Sequence, residues 1–181
     1  MISAALQCHG STRCDLVRSI EARVDRSGTS LRASYAISGE IARLRIAAPG
    51  KPRVAGRLWQ HTCCEIFIAR KAASAYHEFN FAPSGEWAAY AFAGYRDGAP
   101  LADMTLDPQI TVRRTPDKLE LEASIALERL SLAHAALSLG LSAVIEDDRG
   151  ELSYWALEHA PGKPDFHYRE AFVLELDEAR N

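Results

Sequence analysis

The 181-residue chain reads as an all-β protein: an antiparallel, jelly-roll-like β-sandwich of about ten to twelve short strands, with at most one short helix. Three observations predict this. Apolar and polar residues alternate with period two along most of the chain, sustained 3.6-residue periodicity is hard to find, and turn-forming clusters interrupt the pattern at short intervals. The length suits one domain over 1–181, since no linker, low-complexity tract or solenoid-length repeat divides it.

The elements follow in order. Residues 18–26 alternate Ile20, Ala22 and Val24 against Glu21, Arg23 and Asp25, and the turn through Ser27-Gly28-Thr29 leads to a partner strand over 31–38. A short strand is expected at 41–47, then a Pro/Gly/Lys connection. Three strands at 59–69, 75–82 and 86–93 form the strongest block, with Pro83-Ser84-Gly85 as the tight turn between the last two. Gly98, Pro100 and Pro108 mark 96–108 as irregular. A hairpin follows at 109–115 and 118–126, and the single helix is expected over 127–138. A last hairpin, 140–146 and 151–158, turns at Asp147-Asp148-Arg149-Gly150. A Pro/Gly loop over 159–168 then leads into a closing strand at 170–176.

Composition removes several classes of function. With 21 basic against 24 acidic residues, the net charge of −3 lacks the basic excess by which nucleic-acid binders displace phosphate counterions. No apolar run reaches the ~18 residues of a membrane span. The N-terminal stretch, broken at Gln7 and without a basic region, does not read as a secretory signal, so the expected location is the cytoplasm. Four cysteines in a chain this long make no disulfide framework. Cys8 and Cys14 are too loosely spaced for a zinc knuckle, and adjacent Cys63 and Cys64 point to opposite strand faces. The dinucleotide, P-loop, zincin and hydrolase signatures are absent, and the histidines are scattered, so no metal or cofactor is expected.

One constellation carries chemistry. Strand 59–69 splits by parity: Thr62, Cys64, Ile66 and Ile68 suit a core, whereas Trp59, His61, Cys63, Glu65 and Phe67 mix aromatic, polar and acidic groups. The next strand sets His77, Phe79 and Phe81 against Tyr76, Glu78 and Asn80. Carboxylates beside aromatic rings suit sugars. A pyranose offers an apolar C–H face to a flat indole, and hydroxyls that a Glu accepts from and an Asn can both give to and take from. The same pattern also describes aromatic core residues beside a solvated acid.

These segments resemble a known family. Leu58-Trp59-Gln60-His61-Thr62-Cys63-Cys64-Glu65-Ile66-Phe67-Ile68 resembles a strand of the DOMON-like superfamily and of its family 9 carbohydrate-binding modules. Tyr76 to Trp87, with Tyr90, Phe92 and Tyr95-Arg96, is similar to the bacterial DOMON-like branch, as are Ser153 to Leu157 and Pro164 to His167. The resemblance implies a two-sheet sandwich and a non-catalytic sugar-binding or sensing role. By residue-by-residue transfer it implies that Trp59 and Trp155 clamp a terminal sugar, that Glu65 accepts from its hydroxyls, and that Arg96 and Asn80 add polar contacts.

Other readings stay open. DOMON relatives that hold haem imply Met with His or Lys as axial ligands, and Met104 is the only internal Met. A glycosidase would use Glu65 with Glu78. A structural or protein-interaction domain would bury both Trp59 and Trp155. Asp103, Asp107, Asp147 and Asp148 could offer oxygens to a structural calcium, although 147–150 reads first as a turn.

Overall fold

A computed structural model describes residues 1–13, 15–50, 53–101 and 104–179. Cys14 and Asp103, named above, lie outside the described residues. The strands are β1 (Ile2–Cys8), β2 (Val17–Ser27), β3 (Ser30–Gly39), β4 (Arg53–Val54), β5 (Cys63–Arg70), β6 (Tyr76–Phe81) and β7 (Glu86–Gly94). They continue as β8 (Asp97–Pro100), β9 (Gln109–Arg114), β10 (Lys118–Ala126), β11 (Leu137–Glu146), β12 (Leu152–Ala156) and β13 (Leu174–Leu176).

The ladder runs β4-β7-β6-β5-β11-β12-β1-β2-β3-β10-β9, with β13 on β11 and β8 on β7. Strand β1 is the corner. Its residues Ile2 to Leu6 pair with β2, whereas Gln7 and Cys8 pair with β12, so one strand serves both layers of the sandwich. All pairings are antiparallel except the short contact between β4 and β7.

The two inner faces meet in one core. Ile20, Leu31, Ile37, Leu119 and Leu121 come from one layer, and Cys64, Ile66, Ile68, Phe79 and Phe81 from the other. These are the even-parity residues of 59–69 and the His77-side face of the next strand, so period-two alternation sorts them correctly. Tyr35 crosses the core and donates its hydroxyl to the Glu65 carbonyl at 2.6 Å. A buried phenol needs such a partner, and the bond ties the first layer to the strand that carries Glu65.

Several local expectations are corrected. Among the described residues there are only 3-10 turns and no α-helix, and 127–138 keeps one such turn, Leu127–Leu130. Leu127 and Leu130 are buried from this single turn, which accounts for the helical spacing. The strand expected at 41–47 is a turn at Ile41–Arg43 followed by an isolated bridge from Leu44 to Asp147. Strands β1, β4 and β8 lie outside the strands that the sequence pattern predicts. In β8 the pattern is wholly exposed and carries Gly and Pro, so nothing in its residues alternates. Asp147 spends its Oδ1 on the Arg149 and Glu151 amides at 2.9 and 2.8 Å, which is turn chemistry.

Candidate functional site

The outer face of the second layer, turned away from the core, carries a groove of about 500 Å³. Register builds its floor. Tyr90 of β7, Glu78 of β6, Phe67 of β5 and Gly140 of β11 stand in one cross-strand row. Asn80, Glu65 and Ser142 make the next, and Cys63, Val144 and Tyr154 a third. Gly140 matters to this face because a Cβ there would lie 2.7 Å from the Phe172 ring. Its absence lets Phe172 pack against Phe67, with ring planes tilted by 35° and centroids 5.4 Å apart.

One wall is the segment before β5. Trp59 sits in a 3-10 turn, Leu58–Gln60, and not on a strand as expected. Leu58 anchors the turn by packing with Cys63, Ala82 and Ala88, and the neighbouring Trp59 is left 48% exposed at the rim. The opposite wall is the loop ahead of β13, which contributes Lys163, Pro164, Phe166 and His167.

That loop is pinned through Asp165. Its carboxylate accepts from Tyr95 Oη at 2.5 Å, Arg96 Nη2 at 2.8 Å and the His167 amide at 3.0 Å. Arg96 reaches it from the β7–β8 turn, where its φ of 54° is left-handed, and its amide donates to Tyr76 Oη. His167 Nδ1 shares a further hydrogen bond with Tyr76 Oη at 2.8 Å. Against partial burial, which raises it, the hydrogen bonds from Tyr95, Arg96 and the His167 amide hold the Asp165 carboxyl below its ordinary range.

The floor carries two buried carboxyls. Glu65 is 2% exposed and Glu78 5%. Glu65 Oε2 accepts from Ser142 Oγ at 3.3 Å, and Glu78 Oε1 from Asn80 Nδ2 at 2.8 Å. Burial first, and then the neighbouring Glu78, push the Glu65 carboxyl well above its usual range. Burial pushes Glu78 up to about 7 against the pull of Asn80 and Arg96. His167 goes the other way, to about 4, through desolvation and the nearby Arg96.

Trp59, Glu65 and Arg96 thus meet in one groove. Asn80 stands fully buried beneath it, holding Glu78 in place and out of reach of a ligand. Trp155 requires a correction: it is 5% exposed, packs in the hydrophobic core, and donates Nε1 to Ser153 Oγ at 3.1 Å. The expected pair of clamping indoles does not form. Successive strand residues face opposite ways, so Tyr154, one position earlier, is the β12 residue that lines the groove. Each face of β12 carries a large aromatic ring, Tyr154 on one and Trp155 on the other, and parity therefore does not name the outward one. Sequence reasoning also left Phe166, His167 and Lys163 unassigned, because loop residues have no period; Pro164 to His167 were visible only through the resemblance. Among the described residues, no three His, Cys, Asp or Glu side chains gather as metal ligands.

No protein-family model matches the chain, and no curated protein matches it by sequence. Solved structures do. A proposed carbohydrate-binding protein of Bacteroides uniformis superposes with a TM-score of 0.63 at 14% identity, covering 94% of this chain and 83% of that one. A family 9 carbohydrate-binding module of Caldicellulosiruptor kristjanssonii, in complex with cellotriose, matches with a TM-score of 0.51 at 14% identity over 84% of this chain and 75% of the module. The glucose complex of a family 9 module from the same organism gives the same score over 77% of its length. The chain shares the fold of these proteins.

Proposed function

We propose that this protein is a non-catalytic carbohydrate-binding or sensing domain whose ligand lies in the groove between Trp59 and the Asp165 loop. The observation that carries this reading is the half-exposed Trp59 indole standing over a groove whose floor holds two buried carboxyls. A sugar presents both faces this requires. Its C–H surface stacks on Trp59, Tyr154 or Phe166, and its hydroxyls meet Glu78, Glu65 and Arg96. The volume falls within the ~300–1,000 Å³ of small-molecule sites. Two sugar complexes of family 9 modules that share this fold support the same reading, as does the DOMON-like resemblance of the strands.

Calorimetric titration with glucose, cellobiose and other mono- and disaccharides tests it. Saturable binding that weakens at least about tenfold in Trp59→Ala is the expected result. Failure to bind any saccharide, or unchanged affinity in the variant, contradicts it.

A further inference from the structure

The groove floor has too few hydrogen-bond donors. The four oxygens of Glu65 and Glu78 are all acceptors when the acids are ionised. Facing them are Ser142 Oγ, Asn80 Nδ2 and the Cys63 thiol, the last 4.0 Å from Glu65 Oε1. Glu78 Oε2 accepts no hydrogen bond among the described residues, and His167 Nε2 stands 3.7 Å from it.

Cations do not make up the difference. Among the described residues, neither Glu65 nor Glu78 has an Arg or Lys within ion-pair distance. Arg96 is committed to Asp165, Lys163 is exposed at the rim, and His167 is held neutral by burial near physiological pH. Tyr76 and Tyr90, which also border this floor, are both shifted toward the neutral phenol, and Tyr154 adds a third phenol to the lining. The walls are aromatic, and an aromatic face attracts a cation.

We propose that the preferred ligand is an aminosugar, its ammonium seated against the carboxyls of Glu78 and Glu65. This inference rests on the sugar-binding reading and narrows its ligand class. An ammonium brings three donors, no acceptor and a positive charge, which is the complement the floor lacks, whereas a hydroxyl brings one donor. In the empty groove, retained protons on the two carboxyls supply the missing donors. The entering ammonium takes the place of one of them, so one proton leaves a carboxyl for the buffer as the R–NH₃⁺ group binds and the other stays on its partner.

The experiment compares glucosamine, glucose and N-acetylglucosamine by calorimetry at pH 6.5, in two buffers of different ionisation enthalpy. Glucosamine is expected to bind about tenfold more tightly than glucose and to release up to one proton per site. N-acetylglucosamine, of similar shape but uncharged, gains no such advantage, and Glu78→Gln shrinks the ratio of glucosamine to glucose affinity. Equal or tighter glucose binding without proton release overturns the inference and leaves the sugar-binding reading standing. Absence of binding by all three, together with cellobiose, overturns both.

Discussion

Glu78 Oε2 and His167 Nε2 face each other at 3.7 Å across the groove floor, yet near neutral pH they do not form an ion pair. Burial lowers His167 to about 4 and raises Glu78 to about 7, so the histidine is already neutral where the carboxyl still holds its proton. Two polar groups are kept uncharged by burial at the groove floor, at a cost to stability that a purely structural surface would not need to bear.

The first prediction concerns that cost. Glu78 has an ordinary value of 4.5 and a folded value of about 7. Below pH 4.5 both states are protonated and there is no penalty. Between 4.5 and 7 the unfolded chain gives up the proton while the native state keeps it, so stability falls as pH rises and then levels off. Glu78→Gln should therefore be more stable than the wild type at pH 8, by up to about 3 kcal/mol, with the gain vanishing below pH 4.5. His167 has the opposite slope below 6.5, so the difference between the two proteins, from urea unfolding at several pH values, is the quantity to measure.

Trp59 and Trp155 should behave as different kinds of residue. Trp59→Ala removes a half-exposed ring and should leave stability within about 0.5 kcal/mol. Trp155→Ala empties part of the core and should cost about 3–5 kcal/mol. Denaturant unfolding of both variants gives the comparison.

Asp165→Ala should free the loop over the groove without unfolding the sandwich. It removes the acceptor for Tyr95, Arg96 and the His167 amide in one step. Hydrogen exchange should rise through 163–168, with protection in β5, β6 and β11 unchanged. Uniform loss of protection would mean that the loop is part of the global folding unit.

Gly140→Ala probes the same wall from beneath. The added methyl meets the Phe172 ring at 2.7 Å, so the ring must move. A loss of about 1–3 kcal/mol is expected, with altered NMR shifts for Phe67 and Tyr76, the rings that Phe172 packs against.

How much of this was visible in the residues depends on whether one face of a strand differs from the other. In β5 and β6 it does: Ile66 and Phe79 turn to the core, Glu65 and Glu78 to the groove, and alternation alone separates them. In β12 it does not, because Tyr154 and Trp155 are both large and aromatic, and the wrong ring was assigned to the site. Strand β1 is too rich in alanine to show a clear alternation, with only Leu6 fully buried. Asp165 and His167 meet Arg96 and Tyr76 across about 70 and 91 residues of sequence. That proximity comes from the sandwich closing on itself, and no local pattern encodes it.

The most direct test follows the indole N–H signals of Trp59, Trp87 and Trp155 by NMR during titration with a saccharide. Trp87 and Trp155 are buried in the core and Trp59 stands at the rim. The account predicts a saturable shift of the Trp59 signal with the other two nearly still. A bound saccharide that leaves Trp59 unmoved, or no response at any concentration, would contradict it.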